Sequence, residues 1–227
     1  MKRILSFAIA MLTMIQLVSV FSVHSAEVIT PEIPETAEAF ITFEGYQVRD
    51  TEYNGLRSKF TVQLENLPTI EKNGYEVIEY GTLMAATDML SDNEDELIAL
   101  KGEGGIYTTV SYGKIVPIKR GKAYVGKILN YDAVKLEYAC TVTNFSLDNF
   151  DKNLSIRGYA VLADAAGNEY VVYSDYPSES YRSVNLAQIC DSMLADGDID
   201  ESNISYIDVK DFRERKDEAG WGPVWKP

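Results

Sequence analysis

The sequence predicts a mainly β protein, an antiparallel β-sandwich of eight or nine strands with one packed α-helix near the C-terminus. Residues 134–174 provide the first observation, because they form three consecutive strand-like runs separated by polar turns. In the first run Leu136, Tyr138 and Val142 share one face, with the period of two that is typical of a strand with one buried side. The second observation is that β-branched and aromatic residues, which favour pleated sheets, dominate these runs.

Residues 1–26 have the pattern of a secretory signal peptide. Lys2 and Arg3 give a basic start, residues 4–23 are mainly apolar, and small residues follow at the expected cleavage point. An uncleaved anchor helix is the alternative, since the apolar run approaches the ~20 residues that span a bilayer. We therefore expect a secreted or cell-surface protein that meets the membrane only through this segment, before cleavage.

Residues 27–39 and 40–227 are predicted to form a tether and a single domain. The first range is acidic, contains prolines and has no hydrophobic period, so we expect a poorly ordered tether. The second range is long enough to bury a substantial core and suits one β-sandwich domain.

Turn signals and alternating runs place the first strands. Residues 40–48 and 56–64 are predicted strands, and the Asn54-Gly55 turn between them predicts that they pair. Residues 75–86 begin as an alternating strand and become apolar on both faces in their second half. We therefore expect the second half of this strand to lie centrally in a sheet.

The middle of the chain is less regular. Residues 87–100 are acidic and fit a short helix, and residues 101–105 form a glycine-rich loop. Residues 106–118 and 124–130 resume strand character. The three central strands follow.

Helical spacing returns after the central strands. The apolar residues within 181–195 recur at helical intervals, and Ser183 is the predicted N-cap. Residues 205–212 fit either a last strand or a helix, and the pattern does not decide between the two.

The acidic composition excludes two classes of partner. The chain has 35 Asp and Glu residues against 21 Lys and Arg residues, a net charge of −14, and cleavage after residue 26 would also remove Lys2 and Arg3. Nucleic-acid affinity depends on neutralising phosphates with basic residues, so we expect no nucleic-acid partner. Anionic lipid surfaces are disfavoured for the same reason.

Histidine chemistry is excluded by the sequence. His24 is the only histidine and lies in the predicted signal peptide. The mature chain therefore has no Ser-His-Asp or Cys-His nucleophile system and no histidine-ligated zinc site. We predict no catalytic residue and no enzyme activity.

Cys140 and Cys190 are the only cysteines, and they leave two interpretations open. A disulfide between them fits an exported protein. Both also fit small buried hydrophobes, because Cys140 lies on an apolar strand face and Cys190 lies in the predicted helix. Two thiols cannot build a structural zinc site by themselves.

A carboxylate-dependent glycan hydrolase is the alternative function, because a glycosidase needs only two carboxylates ~5–10 Å apart. Glu79 and Glu137 are the better candidates, since both lie in predicted strands. Each also fits the solvent-facing half of an alternating strand, which is the interpretation that we favour.

An acidic loop near the C-terminus resembles part of a calcium-binding loop. Asp196, Asp198 and Asp200 have the spacing of its first three ligands. The sixth position is Glu201 where glycine is required, and the twelfth is Ile207 in place of glutamate. No cofactor is therefore expected beyond a weak calcium site here, and a solvated acidic loop is the other interpretation.

Aromatic residues provide the candidate ligand-binding site. Trp221 and Trp225 lie in a glycine- and proline-rich tail, where tryptophan is rarely needed for packing. We predict that they contact a ligand, either an extracellular glycan or a cell-surface protein. Closure of one end of the sandwich by these residues is the alternative.

Three pieces of the sequence carry a resemblance to a known module. The first two are Gly-Leu-Arg at 55–57 and Glu-Tyr-Gly-Thr-Leu at 79–83, and the third is Tyr-Ser at 173–174 followed by Arg-Ser-Val at 182–184. Together they resemble an uncharacterised β-rich module that recurs in exported proteins of Gram-positive clostridial and ruminococcal bacteria, often beside dockerins, surface-layer repeats or carbohydrate-active domains. The module usually has a large apolar residue where this chain has Ser58.

The resemblance implies an exported β-rich fold, and the module has no assigned activity that could be carried over to this chain. Together with the missing histidine, it predicts a non-catalytic module with a binding or structural role at the cell surface or in the extracellular space.

Overall fold

Nine β-strands in two antiparallel sheets make up most of the regular structure in the computed structural model, which describes residues 33–90, 96–99, 101, 106–111, 114–117 and 124–216. The strands are β1 (Ile41–Val48), β2 (Gly55–Gln63), β3 (Tyr75–Ala86), β4 (Ile106–Ser111), β5 (Lys114–Pro117), β6 (Tyr124–Tyr131), β7 (Lys135–Thr143), β8 (Leu154–Asp164) and β9 (Glu169–Tyr173). The predicted mainly β class is therefore confirmed.

Each sheet draws strands from distant parts of the chain. The four-stranded sheet has the order β1-β2-β7-β6, and the five-stranded sheet has the order β5-β4-β3-β8-β9. The three strands expected within residues 134–174 are β7, β8 and β9. β7 belongs to the first sheet and β8 and β9 to the second, so the chain passes from one sheet to the other between Thr143 and Leu154.

Side chains of the two sheets meet in a shared buried core. The Tyr138 hydroxyl on β7 donates a hydrogen bond to the Gly81 carbonyl on β3 at 2.6 Å. Gly158 on β8 lies so close to the other sheet that a Cβ there would come within 2.5 Å of Ile41 Cγ2 and 2.9 Å of Phe60 Cδ1. Close packing of this kind leaves no space for an added methyl group.

The expectation of one buried and one wet face holds for only part of β7. Leu136 and Tyr138 are buried, as expected, but Thr141 and Thr143 on the opposite face are buried too. β7 lies between β2 and β6, and Thr141 pairs with a residue of each of these strands. Burial of this second face is not revealed by the pattern of a single strand.

The second half of β3 is buried on both faces, as predicted. Its outward-facing residues Leu83 and Ala85 pack with Tyr159 and Val161 of β8 and with Leu97, which lies in a one-turn helix. The chain after β3 thus folds back over the outer face of the five-stranded sheet.

The single strand expected over residues 106–118 is two strands. β4 and β5 pair in an antiparallel hairpin in which Ser111 lies opposite Lys114. Two residues connect them, Tyr112 and Gly113. The chain therefore reverses within a stretch that has strand character in the sequence.

Five helices accompany the sheets within the described ranges. They are α1 (Glu35–Glu38), α2 (Leu67–Lys72), α3 (Glu96–Ala99), α4 (Leu186–Asp196) and α5 (Ile204–Lys216), with 3₁₀ turns at Leu64–Asn66, Thr87–Met89, Leu147–Asn149 and Glu179–Tyr181. None of these helices is long and apolar enough to cross a membrane.

The C-terminal region contains a helix pair where the sequence predicts one helix. The predicted helix over residues 181–195 begins later, at Leu186. Asn185 is its N-cap, because the Asn185 side chain accepts a hydrogen bond from the Gln188 amide at 2.8 Å. Ser183, the predicted cap, instead shares a hydrogen bond with the Thr87 hydroxyl.

The segment that fits either a strand or a helix, residues 205–212, lies in α5. Its side chains hold the β1–β2 loop. Ser205 Oγ donates to the Arg49 carbonyl at 2.8 Å and accepts from the Gly55 amide at 3.2 Å. The Asn54 side-chain amide donates to Asp208 Oδ2 at 2.7 Å. α5 therefore completes the hydrogen bonds of a loop about 150 residues earlier in the chain.

The end of the predicted tether is ordered. Residues 35–38 form α1, and Ala37 within it is fully buried. The prolines and acidic residues that predict a tether also suit the first turn of a helix, where proline and negative charge are favourable. The predicted signal peptide and residues 27–32 lie outside the described residues.

Candidate binding surface

Three large apolar side chains are exposed within six residues of the β6–β7 hairpin. Tyr131 is 61% exposed, Val134 48% and Leu129 42%, and Tyr131 is the most exposed large hydrophobic residue in the described part of the chain. We call these three residues the hairpin surface. Exposed apolar side chains this close together in the chain make the hairpin a candidate binding site.

Asp132 fixes the turn that joins β6 and β7. Its Oδ1 accepts hydrogen bonds from the amides of Val134 at 2.8 Å and Lys135 at 2.9 Å, and its own amide donates to the Lys135 carbonyl at 3.0 Å. The Lys135 and Val134 amides hold the pKa of the Asp132 carboxyl below its usual value. The turn therefore has one defined backbone conformation that presents Tyr131 and Val134 on either side.

A β-bulge explains why Leu129 is exposed. The pairing of β6 with β7 shifts register between Ile128 and Asn130, so Leu129 has no partner on β7. Asn130 Oδ1 then accepts a hydrogen bond from the Tyr131 amide at 3.0 Å. β6 is also the edge strand of its sheet and pairs on one side only, with β7. Bulges at sheet edges commonly redirect a side chain in this way.

Tyr131 of the hairpin surface influences the ionisation of a tyrosine in the other sheet. Burial raises the pKa of Tyr80 on β3, and the nearby Tyr131 raises it further. The Tyr80 ring packs edge-on against Phe40, with ring centroids 5.6 Å apart, and Phe40 is fully buried. Tyr131 and Tyr80 therefore interact electrostatically although they lie in different sheets.

The two carboxylates considered for a hydrolase lie on different sheets. Glu79 on β3 accepts a hydrogen bond from the Tyr159 hydroxyl and forms an ion pair with Lys101. Glu137 on β7 forms an ion pair with Lys135 and lies on the face opposite Tyr138, whose hydroxyl reaches β3. The structure does not bring Glu79 and Glu137 together.

The acidic loop of the calcium prediction shows local hydrogen bonds instead of a shared site. Asp196, Asp198 and Asp200 are all exposed, and the described residues include no group of three His, Cys, Asp or Glu side chains that could hold a metal ion. Asp200 Oδ1 accepts from the amide and hydroxyl of Ser202, which lowers the pKa of Asp200. The geometry gives the calcium site no support, and the site stays a prediction.

Trp221 and Trp225 lie outside the described residues. Their predicted contact with a ligand therefore stays a prediction. The structure instead exposes the three apolar residues of the hairpin surface, which include Tyr131. The sequence pattern does not single out these residues. The available signal was weak: apolar residues 129, 131 and 134 alternate with Asn130 and Asp132 at the end of a short strand.

Both cysteines are free and buried. Burial raises the pKa of the Cys190 thiol to about 12, so this thiol is protonated and unreactive at neutral pH. Of the two interpretations left open by the sequence, the structure agrees with small buried hydrophobes.

The motifs that carry the resemblance lie at structural junctions. A Cβ at Gly55 would come within 2.5 Å of the Val142 carbonyl on the paired strand β7, so only glycine fits at this position. Ser174 is fully buried, and its hydroxyl accepts from the Gly158 amide at 3.0 Å. Val184 is buried and pairs with Leu154. These residues hold the fold together and form no exposed site.

Comparisons with known proteins identify no relative of this chain. No protein-family model, curated protein or solved structure matches the chain. The resemblance to the exported module therefore stays a prediction, and function must be inferred from the residues and their geometry.

Proposed function

We propose that the chain is an exported, non-catalytic module with a binding or structural role at the cell surface or in the extracellular space. The observation that carries the proposal is the hairpin surface, a set of exposed apolar residues on a turn that Asp132 fixes. Rigid, amphipathic tyrosines contribute strongly to recognition because they bury a large area and lose little side-chain entropy.

We further propose that the two sheets stack face to face as a β-sandwich. The hydrogen bond from Tyr138 to Gly81 and the close approach of Gly158 to Ile41 and Phe60 support this packing. In that arrangement the strands form a stable scaffold, and loops and hairpins at its ends and edges are available for partners.

The placement of the acidic residues favours binding over catalysis. A glycan hydrolase requires two carboxylates on either side of one bond. Glu79 and Glu137 belong to different sheets, and each already pairs with a lysine. The absence of histidine from residues 27–227 removes the commonest general base.

The partner is an extracellular glycan or a cell-surface protein. The net charge of −14 disfavours nucleic acid and anionic lipid, both of which require a basic surface. Neither an extracellular glycan nor a cell-surface protein requires a basic surface.

A binding assay with a matched variant tests the proposal. The purified protein is applied to immobilised glycans and to intact cells, and Tyr131→Ala is compared with Tyr53→Ala. Tyr53 is also an exposed tyrosine, 50% accessible, but lies in the β1–β2 loop. We expect saturable binding that Tyr131→Ala removes and Tyr53→Ala retains. Turnover of any glycan by the purified protein would contradict the non-catalytic role.

A further inference from the structure

We propose that β9, an edge strand of the five-stranded sheet, pairs with β9 of a second copy of this chain in an antiparallel dimer. Three observations support this pairing: the direction of the β9 backbone groups, the contrast with the other three edge strands, and the position of the single charge in β9. The inference goes beyond the proposed binding function and does not involve the hairpin surface.

Every second residue of β9 directs its backbone groups away from β8. The Ser174 amide, just past the end of β9, donates to the Gly158 carbonyl of β8 at 2.9 Å. Because the direction alternates along an antiparallel strand, the N–H and C=O groups of Glu169, Val171 and Tyr173 point away from β8. In the part of the chain that the structure describes, β9 pairs with β8 alone. A strand edge of this kind is a template for another strand.

The other three edge strands carry features that discourage pairing. β1 has a register shift in its middle, and its Val48 amide donates to Met193 Sδ at 3.2 Å. β6 has the bulge at Leu129 and the exposed Lys127. β5 has four residues and ends at Pro117. Bulges, lysine and proline are common means by which proteins prevent pairing between edge strands.

β9 has no bulge, lysine or proline, and its sequence suits pairing with itself. It reads Glu-Tyr-Val-Val-Tyr, and all five residues pair with β8 without a register shift. Antiparallel pairing centred on Val171 places this residue opposite Val171 of the second copy, where the two exchange two N–H···O bonds. Tyr170 then lies opposite Val172, and Glu169 lies opposite Tyr173. Aromatic and β-branched residues that face each other across strands stabilise such a pair.

A second copy would also cover apolar surface that β9 leaves partly exposed. Val171 and Tyr173 are half-buried and pack against the apolar cluster on the outer face of the sheet, which includes Leu97 and Tyr159. Residues directly opposite each other in paired strands share one face of the sheet. The pairing would therefore join the apolar clusters of the two copies across the interface.

The single charge in β9 favours the same register. Glu169 is exposed, and in this register it lies opposite Tyr173 of the second copy. The Arg157 guanidinium lies over the Tyr173 ring, with Cζ 4.7 Å from the ring centroid. Each Glu169 carboxylate would thus approach a cation of the other copy, which is a complementary arrangement. A register centred on Glu169 would instead place two carboxylates opposite each other, which is unfavourable.

Sedimentation equilibrium of the purified protein over a range of concentrations tests the dimer. A strand pair of five residues is smaller than a standard interface, so we expect a reversible dimer that dissociates on dilution. Val171→Pro removes an N–H that points away from β8. It should raise the dissociation constant of the dimer about tenfold or more, because both central hydrogen bonds are lost.

A charge reversal and a matched control complete the test. Glu169→Lys should also raise the dissociation constant, because the lysine would face Arg157 of the other copy. Glu76→Lys makes the same charge change at an exposed glutamate of the central strand β3 and should dimerise as the wild type does. Thermal unfolding checks that each variant is folded, and Glu169→Lys decides alone if the proline variant is not.

Four outcomes overturn the inference. The first is a monomer at every concentration. The second is a dimer that Glu169→Lys and a folded Val171→Pro variant leave unchanged, which would place the interface elsewhere. The third is equal weakening by Glu169→Lys and Glu76→Lys, which would show that net charge controls association. The fourth is pairing of β9 with a different protein while this chain itself stays monomeric.

Discussion

Single residues decide how closely the two sheets approach. Gly158 is the clearest case, because its lack of a side chain admits Ile41 and Phe60 from the opposite sheet. A sequence shows that a strand contains glycine, but it does not show what passes over that glycine. The reason for glycine here is visible only after both sheets are assembled.

Gly158→Ala is expected to lower the free energy of unfolding by about 1–3 kcal/mol, the usual cost of overpacking a core. Urea unfolding followed by tyrosine fluorescence measures this loss. The double variant with Ile41→Ala is the control, because it removes the nearer group that the new Cβ would meet and leaves Phe60 Cδ1, 2.9 Å away, in place. If the two losses simply add, with no coupling between the sites, the contact with Ile41 is not the cause.

Asp132→Ala is expected to speed hydrogen exchange at the amides of Val134 and Lys135, since both lose their acceptor. Exchange followed by NMR or mass spectrometry measures the change. Asp198→Ala alters an exposed aspartate outside this hairpin and is the matched control. Unchanged exchange at Val134 and Lys135 in the Asp132 variant would contradict the role of this side chain in fixing the turn.

At the scale of elements, the periodic patterns predicted most strands and located β3 at its observed bounds. The patterns do not predict the structure where pairing with another strand determines the path of the chain. The chain reverses between β4 and β5 within a stretch that has strand character in the sequence. The bulge that exposes Leu129 depends on its pairing with β7, so the hairpin surface could not be found from the strand pattern alone.

Asn185 caps the start of α4. Asn185→Ala is expected to destabilise the protein by about 1 kcal/mol, because the Gln188 amide loses its acceptor. Asn185→Ser keeps a capping oxygen and should cost only a few tenths of that amount. Thermal unfolding measures both variants. Equal losses for the alanine and serine variants would show that the cap is not what Asn185 contributes.

For the molecule as a whole, buried tyrosines link stability to alkaline pH. Burial raises the pKa of Tyr46 and Tyr138 well above the usual value of 10.0. Above pH 10 the unfolded chain releases these protons while the folded chain keeps them. The stabilisation is therefore complete below pH 10 and is lost as the pH rises further.

We expect the free energy of unfolding to fall above pH 10 by about 1.4 kcal/mol per pH unit for each such tyrosine. Urea unfolding between pH 8 and pH 11 measures the slope. Tyr46→Phe removes one titrating group and should make the fall shallower. A slope that Tyr46→Phe leaves unchanged would show that Tyr46 does not contribute to it.

The fold class followed from the sequence because alternation over many short runs has few other interpretations. The second C-terminal helix did not, because residues 205–212 lack a clear apolar period. Their position depends on contacts with the β1–β2 loop, through Ser205 and Asp208.

The contacts between α5 and the β1–β2 loop limit how far the C-terminus of the protein can be truncated. A protein ending before Ser205 would retain every strand, yet the Gly55 amide and the Asn54 side chain would lose acceptors that α5 provides. Such a product would expose the surfaces that the last helix covers and would be prone to aggregate during expression. Cloning should therefore extend at least through Lys216, where α5 ends.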